Sequence, residues 1–205
     1  MAAGRPRSFC TEKALDSAMQ VFWRKGYEGA SIAELTKAIG INSPSLYAAF
    51  GSKKELFHRV LVHYDAQNKV FMDEMLAASR AQDVASLFLR GVAALVTDTS
   101  RNNPPGSLFV QSWLSCSDPA IPAELARRRD RWERELCNRF ARARAEGDLS
   151  SGSSPSALAS HIMAVSIGMC VLAAEGASRK DLLDIADMAA TPVSRASLNL
   201  RLQQP

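Results

Sequence analysis

The chain has 205 residues, 47% apolar and 22% charged, with a net charge of +4. That balance excludes a wholly disordered polymer and fits one ordinary domain or two small ones. Four cysteines (Cys10, Cys116, Cys137, Cys170), with no Cys-x-x-Cys pair and no histidine at finger spacing, exclude a disulfide scaffold and a zinc finger. No metal or cofactor is expected.

Arg5 and Arg7 are not followed by an apolar run of signal-peptide length. Between Ser150 and Ala174 no charge occurs, but the apolar part, Ile162 to Ala174, is only 13 residues long and is interrupted by Ser166 and Gly168. A spanning helix needs about 20 apolar residues, so a buried helix, no membrane partner and a reducing cytoplasm are expected. The charge is unevenly placed. Through residue 60 nine basic residues stand against five acidic ones, whereas the other 145 residues carry sixteen of each. A basic module joined to a neutral one suits a nucleic-acid reader attached to a second domain.

Apolar residues recur at helical spacing, and neither sustained strand alternation nor an Asn-Gly or Asp-Gly hairpin occurs, which predicts an all-α fold of about nine helices. The first helix is predicted from Glu12 to Lys25, capped by Thr11, with Leu15, Ala18, Met19 and Phe22 as its apolar stripe and Gly26 as its stop. Ser31-Ile32-Ala33-Glu34 is a capping box that opens a second helix ending near Gly40. A third, short helix follows, with Ser43 as cap, Pro44 in its first position and Gly51 closing it. Ser52-Lys53-Lys54-Glu55 is another capping box and opens a fourth helix running to about Ser79. Five further helical stretches are predicted over 83–100, 107–117, 119–147, 155–175 and 179–201, separated by Pro-, Gly- and Ser-rich breaks.

The segment from Ser31 to Phe50 carries the sharpest functional signal. Two short helices joined by Gly40-Ile41-Asn42 have helix-turn-helix spacing, in which the second helix enters the major groove. Gly40 can take the positive φ of such a turn, and Ile41 can plug the space between the helices. A rod of eight residues is unstable alone and must be clamped by its neighbours. Its expected outward residues are Asn42, Ser43, Ser45, Tyr47 and Ala48.

Phe22-Trp23-Arg24-Lys25-Gly26-Tyr27-Glu28-Gly29-Ala30-Ser31-Ile32, then Gly40-Ile41-Asn42-Ser43-Pro44-Ser45-Leu46-Tyr47-Ala48-Ala49-Phe50, then Ser52-Lys53-Lys54-Glu55-Leu56-Phe57 resemble the N-terminal domain of TetR-type transcriptional regulators. The resemblance covers about residues 8–64. It implies an N-terminal three-helix DNA-binding domain, residues 1–64, and a C-terminal helical bundle, residues 65–205, for ligand binding and dimerisation. It implies a homodimer on a palindromic double-stranded operator, usually a repressor, released by a small-molecule effector. Carried over by position, Ser31 and Lys53 match phosphate contacts. Asn42, Ser43, Pro44 and Ser45 fall on or beside the base-contacting cluster, and Tyr47 matches a backbone-contacting tyrosine. Ala48-Ala49 stand where many members carry a histidine and an aromatic, which shifts readout toward thymine methyls or DNA shape. A helical DNA-binding protein that acts without a ligand is the alternative.

In the C-terminal part, Phe88, Phe109, Trp113 and Met163 are the candidate pocket residues, with Trp113 offering both an apolar face and an N–H donor. Met72, Met75 and His63 are weaker candidates for the same lining, and His63 and His161 are expected to be structural. The arginine-rich stretch 119–147 reads as a solvated helix laced by Glu124–Arg128, Asp130–Arg134 and Glu135–Arg139 pairs. Leu158, Ile162, Val165, Met169 and Leu172 share one face of the 155–175 helix, which with 179–201 is expected to form a four-helix dimer interface. Cys10 is expected to be inert. No nucleophile elbow, Ser-x-x-Lys, His-Glu-x-x-His, P-loop or Gly-x-Gly-x-x-Gly occurs, so no enzymatic activity is expected.

Overall fold

A computed structural model of the chain describes residues 10–100, 103–114 and 116–201. Arg5 and Arg7 of the basic excess lie outside the described residues. Among these residues there are nine helices and no strand: α1 (Thr11–Gly29), α2 (Ile32–Ile39), α3 (Ser43–Phe50), α4 (Lys53–Ala77), α5 (Ala81–Thr97), α6 (Leu108–Leu114), α7 (Ala120–Ala145), α8 (Pro155–Ala174) and α9 (Arg179–Arg201).

Local chemistry sets most of these boundaries, with three departures from the predicted caps. In α1, Cys10 rather than Thr11 occupies the cap position and makes no side-chain cap bond. Gly26 breaks the helix at φ 68°, and the chain adds a last short turn to Gly29. In α3 the cap is Asn42, not Ser43: the Ser45 N–H donates to its carboxamide oxygen at 2.9 Å. Pro44 therefore sits one position deeper than predicted, still among the first N–H groups that have no helical partner to lose. In α4 the Glu55 N–H donates to the Ser52 hydroxyl at 3.0 Å, while the Glu55 carboxylate turns to Arg59 at 3.6 Å, so only half of the predicted box forms.

Two apolar clusters hold the chain. The first joins Phe22, Leu35, Leu46, Phe50, Phe57 and Leu61 with Leu108, Ile121 and Leu125 from α6 and the start of α7. The second joins Val84, Phe88, Leu136, Phe140, Ile162 and Leu182 with Met72 and Met75 of α4. Each fully buried Leu or Phe contributes about 1.5–3 kcal/mol by leaving water. Residue 64 lies inside α4, whose first half serves the first cluster and whose second half serves the other.

The arginine helix departs from its predicted pairing. Glu124–Arg128 forms, at 2.8 Å, but Arg128 also binds Asp65 of α4 and is only 12% exposed. Asp130 pairs with Arg129 at 2.7 Å instead of Arg134. Arg139 is 5% exposed and, rather than meeting Glu135, donates to the Leu76, Ala78 and Ser79 carbonyls at 3.2, 2.6 and 2.9 Å. The α4 C-terminus abuts α7 there, and its unpaired carbonyls outcompete a solvent-exposed carboxylate.

α8 spans 20 residues with a mean hydropathy of 2.0 in its most apolar window, long and apolar enough to cross a bilayer by length and composition. Counting from Ile162 underestimates it, because the Ser and Ala residues ahead are cheap to bury. It packs against α5, α7 and α9, yet only 33% of that window is buried inside the chain. Its predicted stripe divides: Ile162 and Met169 enter the core, Leu158 and Val165 are half-buried, and Leu172 is 39% exposed.

Candidate functional site

The turn between α2 and α3 is built from backbone bonds. Gly40 adopts φ 79°, and the N–H groups of Gly40 and Ile41 donate to the Thr36 carbonyl at 2.9 and 3.0 Å. A side chain with a Cβ rarely accepts that φ. Ile41 is half-buried against the first cluster, as a plug between the helices would be. Leu46 and Phe50 are buried at 0% and 1% exposure and anchor α3 from below. The opposite side carries Pro44, Tyr47 and Ala48, all exposed, with Ser43 and Ser45 half-exposed. Tyr47 is 47% exposed, free to lay its ring and hydroxyl on an external partner. Asn42, also exposed, spends its oxygen on the cap and leaves its amide nitrogen for another acceptor.

Ser31 lies at the N-terminus of α2, exposed but engaged. Its hydroxyl donates to Glu34 Oε2 at 2.9 Å and accepts the Glu34 N–H at 3.2 Å, and its own N–H donates to the same carboxylate at 3.1 Å. Lys25 completes the cluster, and its bond, followed by those from Ser31, pulls the Glu34 carboxyl down to about 2. An anion approaching Ser31 thus competes with Glu34. Lys53 is half-buried against α1, its Nζ donating to the Glu28 carbonyl at 3.2 Å and lying 4.7 Å from the Tyr27 ring centre. Lys37 belongs to no motif, yet the fold exposes it in the last turn of α2, beside the turn.

The loop after α6 grips this module. The Ser117 hydroxyl and, at 3.7 Å, the Cys116 thiol donate to Glu28, and Lys54 pairs with Asp118 at 3.2 Å. His63 of α4 pairs with Asp16 of α1 at 2.8 Å, and His161 meets the Ala189 carbonyl at 3.0 Å; both tie helices together. Cys10 is exposed.

Two small cavities adjoin inside the C-terminal part. The first, about 120 Å³, is lined by Trp113, Leu125, Arg129 and Ile167; the second, about 130 Å³, by Tyr64, Asp65, Phe88 and Val92. Ser107, Phe109, Trp132, Met163 and Cys170 form the wall common to both. The four predicted pocket residues therefore meet there: Phe109 and Met163 between the cavities, Trp113 on one side, Phe88 on the other. Tyr64, Trp132 and Cys170 carry no sequence signal for this role, because nothing local tells which side of a helix will face a void. A third, open depression of about 1030 Å³ lies beyond Phe71 and Leu95, which also line the second cavity. Tyr64 contacts both Trp23 of α1, edge to face at 5.4 Å between ring centres, and Phe109, tilted at 5.1 Å, so the cavities and the α1 scaffold share one aromatic cluster. Among the described residues no group of three or more metal-ligating side chains occurs.

A family model described as "Bacterial regulatory proteins, tetR family" matches residues 14–60. The HTH-type transcriptional repressor ComR of Escherichia coli (strain K12) is 33% identical over 192 residues, 89% of this chain and 88% of its own length. The HTH-type transcriptional repressor BdcR of the same organism is 47% identical over 77 residues, 38% of this chain and 39% of its own. The solved structure of a cysteine mutant of the TetR family transcriptional regulator CifR, complexed with 26-bp double-strand operator DNA, superposes with a TM-score of 0.86 at 37% identity, covering 91% of this chain and 98% of that one. With a surface-borne α3 clamped as a groove reader requires, and a relative of this identity matched over nearly its whole length, the chain belongs to the TetR family of bacterial regulatory proteins and is a DNA-binding transcriptional regulator.

Proposed function

We propose that this regulator is a repressor that binds a palindromic operator as a homodimer and leaves it when a small molecule occupies the cavities between Phe88 and Trp113. The observation that carries the reading is the arrangement of α3: Leu46 and Phe50 buried, Tyr47, Pro44 and Ser45 turned outward on a helix that shares a core with α4 and α6. On DNA, Ser43, Pro44 and Ser45 meet base edges with Asn42 at the helix start. Tyr47, Lys53 and Ser31 contact the phosphate backbone, and Lys37 adds a further cation. Residues 1–64 act as the reader, and 65–205 hold the effector and the partner subunit, with α4 spanning the two. The names of ComR and BdcR as repressors support the sign of regulation, and the operator complex of CifR supports the mode of binding. A protein that reads chromosomal DNA works in the cytoplasm.

Release is a population shift. Two α3 helices in a dimer must lie about 34–36 Å apart to enter successive major grooves. An effector that fits the cavities better in a splayed dimer lowers operator affinity by its differential affinity for the two shapes. Selection of bound DNA from a random pool by the purified chain tests the reading. A two-fold symmetric motif with half-sites about one helical turn apart is expected, and an asymmetric or featureless motif overturns it.

Two substitutions separate the contact classes. Lys53→Ala is expected to weaken binding to all sequences alike and to reduce the slope of log K against log salt by about one unit. An unchanged slope removes Lys53 from the phosphate contacts. Ser45→Ala is expected to alter the selected base at one position of each half-site while leaving the salt slope as it is, because half-exposed Ser45 carries no charge. Identical selected motifs remove Ser45 from base readout.

A further inference from the structure

We propose that the effector is an uncharged, largely apolar molecule of about two aromatic rings that carries a single hydroxyl or carbonyl group. This rests on the reading of the paired cavities as the effector site, and goes further by stating what chemistry they accept.

Size comes first. The two cavities measure about 120 and 130 Å³. An apolar cavity of roughly 150 Å³ holds benzene, so each lobe is of one-ring size. Phe109, Trp132 and Met163 form the waist between them. A fused or linked pair of rings fits the combined outline if the flexible Met163 side chain yields at the waist.

Charge is decided by what the walls already spend. Asp65 and Arg129 are the charged side chains that line the cavities. Asp65 is bonded to Arg128, which also holds Glu124 at 2.8 Å. Arg129 is bonded to Asp130 at 2.7 Å, and its guanidinium carbon lies 5.6 Å from the centre of the Trp113 ring. An anionic ligand would have to strip Arg129 from Asp130 or lie against the Asp65 carboxylate. A cationic one would have to displace Arg128. Displacing Arg128 leaves a desolvated charge without its partner, and an anion beside Asp65 faces a like charge at a site only 16% exposed, whereas a neutral molecule disturbs none of these pairs. The same argument turns away acyl-CoA thioesters, whose phosphates need several free cations.

One polar group is provided for at the waist. The Ser107 hydroxyl and the Cys170 thiol face both lobes, and Tyr64 lines the second. These are neutral donors and acceptors, suited to a hydroxyl or carbonyl on the ligand. Burial pushes the Cys170 thiol up to about 12, so it stays protonated, hydrogen-bonds and does not attack; binding is reversible. Tyr64 also meets Trp23 of α1 edge to face, which puts a ligand touching the tyrosine one ring away from the helix that braces the DNA reader.

The test uses the full chain and three isosteric probes: naphthalene, 2-naphthol and 2-naphthoate, titrated by tryptophan fluorescence and by release of the selected operator. The expected order is 2-naphthol tightest, naphthalene weaker, and 2-naphthoate about tenfold or more weaker than 2-naphthol. Tyr64→Phe keeps both ring contacts and is expected to weaken 2-naphthol about three- to tenfold while leaving naphthalene within twofold. Met163→Trp fills the waist and is expected to abolish binding of all three; Val92→Phe, which fills the second lobe, repeats the test should the first variant not fold. Naphthoate binding as tightly as naphthol, and lost on filling the waist, overturns the neutral class while leaving the site in place. Naphthol affinity that survives both filled variants overturns the site and the proposal together. No binding by any probe overturns the proposal, and the site reading then stands or falls on whether other compounds release the operator from the wild type but not from the filled variants.

Discussion

Arg139→Ala is expected to destabilise the chain by about 2–4 kcal/mol, lowering the thermal midpoint by about 5–15 °C. The guanidinium is the C-terminal cap of α4. It collects the Leu76, Ala78 and Ser79 carbonyls, which the end of a helix leaves without N–H partners, from a position 5% exposed on α7. Truncation strands those acceptors against the core that Phe140 and Met75 close, and each buried acceptor without a partner costs about 1–3 kcal/mol. Methionine, of similar length, is expected to rescue little, because it restores packing and no donor. Lysine is expected to rescue part, with one donor group in place of a planar fork. Arg142→Ala, on the same helix but in an exposed pair with Glu146 at 3.6 Å, is the control and is expected to shift stability by less than about 0.5 kcal/mol. Equal small effects at 139 and 142 on urea unfolding would return Arg139 to the solvated face.

The contrast between those two arginines shows where sequence runs out. A Glu four residues ahead of an Arg predicts a pair on any exposed helix, and Glu135–Arg139 meets that rule. Which side of α7 faces α4 depends on tertiary packing, and nothing within seven residues encodes it. The reader domain is legible for the opposite reason. Ser31-x-x-Glu34, Gly40 and Gly51 act through bonds spanning four residues or fewer, and the structure has all three where the spacing puts them, with Gly40 at φ 79° and Gly51 at φ 78°. Even there the local competition between neighbouring caps was close: Asn42 and Ser43 both cap well, and the one whose oxygen reaches the Ser45 N–H prevails. The cavities lie between these extremes. Phe88, Phe109, Trp113 and Met163 stand out by residue type, but Tyr64, Asp65 and Cys170 reach the same walls from α4 and α8 only through the packing of distant helices.

Leu172→Glu is expected to turn a dimer into a monomer at micromolar concentration and to weaken operator binding by about a hundredfold or more. α8 is apolar all round, and only a third of its most apolar window is fully buried by its own chain. A helix of that kind is stable in water only with a second surface against it. Leu172 is 39% exposed, with Gly168 and Ala164 exposed one and two turns before it, small enough for another helix to come close. Met188 of α9, 77% exposed, extends the same kind of surface. In a two-fold interface one substitution appears twice, so a carboxylate at 172 places two desolvated charges at the contact. The loss on DNA follows from linkage. A dimer binds its second half-site as an intramolecular step, whereas a monomer forfeits that effective concentration while each reader stays intact. Val70→Glu, on an exposed position of α4, is expected to change neither quantity. Sedimentation of the variants alongside operator titration separates the outcomes: a Leu172→Glu chain that remains dimeric and keeps its affinity places the twofold contact on some other face of the molecule.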